Sequence, residues 1–177
     1  IIKGFGLGLI GVFLLLCFLF KSYIEPIIVM SIIPLGLIGV IWGHLLMGLD
    51  LSMPSIIGYA SLAGVVVNDS ILLVHFIKIR RAEGKSSVDA AQTASRERFR
   101  AVLLTSLTTI AGLLPLMLEQ SLQAQILIPL VTSLSFGLLA STGLVLIVVP
   151  VLYAIFDDFG WTVDINEGNS EVIVGQA

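Results

Sequence analysis

The chain has 177 residues, of which 57% are hydrophobic and 12% charged, with a mean hydropathy of +1.08 and a formal net charge of −3. A soluble domain carries about 25% charged residues, so this composition excludes an ordinary soluble fold and implies an integral membrane protein. The absence of a basic patch interleaved with aromatics excludes nucleic-acid binding; the single cysteine, Cys17, excludes an internal disulfide and lies outside any metal-ligand spacing.

A membrane-crossing helix needs about 20 mostly apolar residues, and five segments meet that need. The first covers residues 5–20. It follows directly on Ile1, with no basic start and no small-residue cleavage site, so the chain reads as a piece of a larger polypeptide. The second, 27–47, contains Pro34 and the glycines Gly36, Gly39 and Gly43, which permit close helix approach. The third, 55–77, repeats that pattern with Gly58, Ala60 and Gly64 and carries Asn68 and Asp69 at its centre. The fourth covers 101–118. The fifth, 126–156, is long enough to tilt or to include an interfacial turn. The prolines Pro34, Pro115, Pro129 and Pro150 are tolerated in such spans where neighbours satisfy the freed carbonyls. They serve packing or act as hinges.

The connections at 21–26, 48–54 and 119–125 are short and polar, which implies antiparallel neighbours in an all-α helix bundle. The longer one, 78–100, holds Lys78, Arg80, Arg81, Lys85, Arg96, Arg98 and Arg100, seven of the nine basic residues, and Lys21 falls on the same side. By the positive-inside rule this side is cytoplasmic. The chain then starts outside and ends inside, with a bundle over 1–157 and a polar, acidic, mobile cytoplasmic tail over 158–177. Within the basic connection, Ser86-Ser87-Val88-Asp89 has the form of a helix start. The helix it opens either lies in the membrane interface, with Val88, Ala91, Ala94 and Phe99 toward lipid, or is a solvated connector.

Asp69 carries the sharpest chemical signal. A carboxylate at mid-span costs about 2.5–3.5 kcal/mol on insertion scales, so it faces a protein interior and marks an ion or proton path; the alternative is a structural carboxylate bonded to a neighbouring helix. Asn68 lies about 100° around the helix and can donate and accept but not titrate. His75 shares the Asn68 face two turns on and reads more readily as a satisfied interfacial histidine than as a relay member. In the fourth segment Arg98, Thr105 and Thr109 fall on one helix face, a polar stripe from the basic side toward the core. Equally, the threonines bond their own helix carbonyls and the arginine snorkels. There is no nucleophile–base–acid arrangement, no metal-ligand spacing and no glycine-rich phosphate loop. The chain is therefore expected to be neither an enzyme nor an ATP-hydrolysing module, and to need no cofactor.

The order Gly64-Val-Val-Val-Asn-Asp-Ser-Ile-Leu-Leu-Val-His-Phe76, Glu83-Gly84-Lys85, Arg98-Phe-Arg-Ala-Val-Leu-Leu-Thr-Ser-Leu107 and Ala111-Gly-Leu-Leu-Pro-Leu116, with Ile33-Pro34-Leu35-Gly36 upstream, resembles the last transmembrane helices of the RND (resistance–nodulation–division) efflux transporters. The resemblance covers about residues 5–157 and implies helices eight to twelve of a twelve-helix, proton-driven pump of the bacterial inner membrane. It implies a porter domain, further transmembrane helices, a trimer, a periplasmic adaptor and an outer-membrane channel as partners, besides the lipid bilayer. Asn68 falls at the position of the multidrug branch's relay lysine, Asp69 at the next, usually asparagine, and Arg98 and Thr105 match the relay arginine and threonine. The loss of the lysine removes its usual ion pair with the fourth helix, and either Asp69 takes a titrating role or the relay is rearranged. Ala101 replaces a proline usual after the second arginine. The expected function is secondary export of drugs or other amphiphiles, with Asp69, Asn68, Arg98 and Thr105 as proton relay. The alternatives are a non-transporting assembly half-bundle and a related exporter of lipid or protein.

Overall fold

The computed structural model describes residues 2–159; all but the first two residues of the expected tail lie outside the described residues. Six helices follow in order: α1 Ile2–Phe20, α2 Ile24–Ser31, α3 Ile33–Met47, α4 Met53–Ala82, α5 Ser87–Met117 and α6 Leu122–Asp158. Counting α2 and α3 as one broken span, five are long and apolar enough to cross a membrane. The all-α membrane bundle expected from the apolar runs is therefore what forms.

The second span breaks at Ile32, because Pro34 supplies no amide hydrogen to the ladder. The chain restarts with Leu35 and Gly36 both donating to Ile32 O, at 3.0 and 3.2 Å. Pro115, Pro129 and Pro150 do not break their helices. The fifth segment is thus one 37-residue helix with no interfacial turn. Each hairpin has its own stop and start signals. Gly48, at φ 64°, closes α3 in the left-handed conformation. Ser52 and Ser55 form a reciprocal cap on α4. Ser86 accepts from the Asp89 amide at 3.2 Å, the helix start predicted at that motif.

That helix is neither of the two separate ones envisaged. It is the first turns of α5, whose 31 residues span about 46 Å, well beyond a hydrocarbon core of about 30 Å. Ala90, Ala91 and Ala94 are buried in the bundle, while Val88 and Phe99 are exposed. Ser95 donates to Leu146 O on α6 at 3.3 Å, and Arg80 of α4 pairs with Glu97 at 2.6 Å.

Helix α6 is the centre of the bundle, packed along α3, α4 and α5. Small residues set the spacing. A β-carbon at Gly39 or Gly58 would overlap the α6 backbone at Phe136 O or Leu130 O, and one at Gly43 would meet the Phe136 side chain. Gly137 answers from α6, pressed against Leu62 and Val40. Gly64, grouped with these in the sequence, faces open space. The core runs through Leu62, Val66, Leu73, Val74 and Ile77 of α4 and Leu138, Val145, Val149 and Tyr153 of α6.

Candidate functional site

Because α4 packs on α6 along one side, its opposite side is uncovered. Ile57, Ser61, Gly64, Asn68, Leu72, His75 and Ile79 recur every three or four residues along it, all exposed. On α5 the exposed line is Ala101, Thr105, Thr108, Gly112 and Pro115. The α5 line is small and polar, and the α4 line sets Ser61, Gly64, Asn68 and His75 among Ile57, Leu72 and Ile79, whereas α1 exposes bulky residues such as Leu7, Leu14 and Phe18.

Asp69 sits near the middle of α4, at the edge between the covered and uncovered sides: Asn68 before it is exposed, Ser70 after it is buried, and Asp69 is half-buried. Phe76 lies seven residues on, two turns along the same face. Over its ring, 3.8 Å from the centroid, lies the guanidinium carbon of Arg98 from α5, a cation–π contact. The stacked guanidinium is thereby held where its charge acts on Asp69. Its Nε is buried and has no hydrogen-bond partner among the described residues. Arg98, from a second helix, is thus stacked on an aromatic ring two turns along α4 from Asp69, within electrostatic reach of the carboxylate.

The other two candidates lie differently. Asn68 points to the uncovered side. Thr105 is exposed and donates to Ala101 O at 2.9 Å, and Thr109 donates to Thr105 O at 2.8 Å. These hydroxyl hydrogens are committed to their own helix, the plainer arrangement for membrane threonines. Their oxygens keep acceptor capacity toward whatever covers the face. The structure adds a buried α5–α6 pair one residue along, Ser106 to Thr142 at 2.5 Å.

Two buried polar groups escaped the sequence reading. Glu25, fully buried in the first turn of α2, pairs with Lys78 of α4 at 3.0 Å. Below it, Arg81 pairs with Asp157 of α6, which also accepts from Ser87 of α5. In sequence Glu25 falls in the polar connection before Pro26, and a partner 53 residues away leaves no periodic trace. His44, also buried, has Nδ1 2.9 Å from Val40 O and Nε2 2.8 Å from Ser55 Oγ. The carbonyl only accepts, so Nδ1 carries the proton and the Ser55 hydroxyl donates to Nε2. The signal for His44 was its place inside an apolar run, the same signal that singled out Asp69.

The AcrB/AcrD/AcrF family matches residues 4–157, and the chain belongs to that family of RND transporters, which are not enzymes. Among solved structures, the crystal structure of a heavy metal efflux pump is similar, at a TM-score of 0.75 and 27% identity over 86% of this chain. The chain spans 15% of the length of that pump chain.

Proposed function

We propose that this chain forms the eighth to twelfth membrane helices of a proton-driven RND exporter, with Asp69 as its proton-binding carboxylate and Arg98 as the internal counter-charge. The carrying observation is Asp69, half-buried at mid-span on the edge of an uncovered face, with the Arg98 guanidinium stacked on Phe76 two turns along the same side and within electrostatic reach. Proton uptake neutralises Asp69 and removes its pull on Arg98. The guanidinium then turns to the next acceptor, and α5 shifts against α4. Asn68 and Thr105 take the role of relay hydrogen-bonding groups at the seam with the remaining transmembrane helices.

In this proposal the basic ends of α4 and α5 are cytoplasmic, as is the C-terminus, and the membrane is the bacterial inner membrane. Cargo, taken here to be drugs or other amphiphiles, is bound by a porter domain, and the assembled pump is a trimer with a periplasmic adaptor and an outer-membrane channel. The test is Asp69→Asn in the complete transporter, reconstituted in vesicles with an imposed pH gradient. Proton-coupled efflux of a fluorescent amphiphile is expected to fall to background with protein yield retained. Efflux equal to that of the unmodified transporter would refute the role of Asp69. Unchanged efflux with reduced yield would instead favour an assembly role for the bundle.

A further inference from the structure

Helix α5 exposes two different lines along its length. One is the line of small and polar residues that begins at Ala101. About 100° around the helix from it runs a second, made of Arg96, Arg100, Leu104, Leu107, Leu114 and Leu118, all exposed. Membrane helices approach one another closely through small residues. Leucines hold a neighbouring backbone away, and lipid tails are as apolar as they are. The second line is therefore a surface for lipid. Its length agrees. From Arg100 to Leu118 the helix rises about 27 Å, close to a hydrocarbon core of about 30 Å. Arg100 thus stands at the boundary of the core, and Arg96, one turn or about 6 Å further out, stands in the headgroup layer.

The charge at this end of the line is uncompensated. The nearby acids are engaged elsewhere. Glu97, next to Arg96 in sequence, is held by Arg80 at 2.6 Å, and the same arginine holds Glu83 at 2.8 Å. Asp89, two turns before Arg96 on the same face, accepts from the Ser86 hydroxyl at 2.7 Å. Lys78 and Arg81 have their own carboxylates in Glu25 and Asp157. Arg98 turns away onto Phe76. Arg96 and Arg100 have no ion-pair partner among the described residues. Like charges one turn apart destabilise a helix, and an anion lying between them removes that repulsion. Two guanidinium forks match the oxygens of a phosphate group.

We propose that Arg96 and Arg100 form a binding site for one anionic phospholipid, in the leaflet on the basic side of the bundle. The phosphodiester accepts from both guanidinium groups. An acyl chain runs along Leu104 and Leu107, and Phe99, exposed beside Arg100, lies against the glycerol region. A zwitterionic headgroup brings its own cation next to the phosphate and so is repelled by the arginine pair. The bound lipid fixes the depth and rotation of the turn of α5 that carries Arg98. The site itself does not depend on the role of Asp69.

The test is photocrosslinking in the complete transporter, reconstituted in phosphatidylethanolamine vesicles holding a small fraction of phosphatidylglycerol with a diazirine near the head of one acyl chain. Peptide mapping by mass spectrometry reads the label. Label is expected at Leu104 and Leu107, and to be displaced by added unlabelled phosphatidylglycerol but not by added phosphatidylethanolamine. A basic residue at a membrane surface contributes about fivefold to binding of anionic lipid. Arg96→Gln with Arg100→Gln should therefore weaken labelling about thirtyfold, while Arg96→Lys with Arg100→Lys retains most of it. Equal labelling by a diazirine-bearing phosphatidylethanolamine, or labelling that the glutamine pair leaves unchanged, would reduce the line to ordinary lipid contact and overturn the proposal. No label from either lipid would mean that a protein surface covers the line, which overturns it equally. The competition between the two lipids is read on the unmodified transporter, so it decides the matter even where the glutamine pair fails to fold.

Discussion

Gly36 and Gly39 lie one turn apart on the same buried side of α3, yet an added methyl group should act oppositely at the two. At Gly36 the new β-carbon meets Leu62 Cδ2 at 3.3 Å, the far end of a side chain that can yield by a few tenths of an ångström. At Gly39 it would lie 2.6 Å from Ala140 Cβ and 3.0 Å from Gly137 Cα, and would overlap Phe136 O. Carbon atoms rest about 3.5–4.0 Å apart, so α3 must withdraw from α6 by about 1 Å, since a backbone obstacle has no rotamer to change. Overpacking of this kind costs about 1–3 kcal/mol. Both substitutions gain about 1 kcal/mol of helix propensity, which leaves Gly36→Ala near neutral or slightly stabilised. The assay is heat-induced loss of the monodisperse peak in size-exclusion chromatography of the detergent-solubilised transporter. Gly39→Ala should fall well below Gly36→Ala, and equal thermal stability would refute the close approach of α3 to α6.

Two further outcomes follow from buried polar groups. His44→Ala removes both bonds of the imidazole and should destabilise the protein by about 1–3 kcal/mol, whereas exposed His75→Ala should stay within about 0.5 kcal/mol; the same thermal assay separates them. Lys78→Met leaves a buried carboxylate without its cation and should cost about 3–5 kcal/mol at neutral pH, while Lys78→Met combined with Glu25→Leu should recover most of that stability, read by the yield of correctly folded protein.

The five spans were legible because the bilayer imposes one strong rule, about 20 apolar residues per crossing, and the hairpin signals at Gly48, Ser52, Ser86 and Ser121 agree with it. The continuity of α5 was not legible. Arg96, Arg98 and Arg100 interrupt hydropathy without interrupting helical backbone, so the hydropathy boundary there is not a structural one. Asp69 and Arg98 stood out as charges against apolar or helical surroundings. Glu25, His44 and Gly137 depend on what another helix places opposite them, and a partner dozens of residues away leaves no mark on local periodicity.

The placement of Asp69 can be argued from the two sides of α4. Fully on the packed side, a carboxylate would stand among Val66, Leu73 and Val74 with every neighbour fixed, and a change of charge there could only disrupt the core. Fully on the open side, beside Asn68, it would meet no cation of this chain and would bear the whole cost of a charge in lipid until another element covered it. At the edge it keeps Arg98 within electrostatic reach through the Phe76 platform, while the small residues Gly64 and Ser61 leave room for a further helix to approach closely. A titrating group coupled to motion needs both conditions at once: a counter-charge that keeps the ionised state tolerable, and an uncovered seam across which losing that charge can move something.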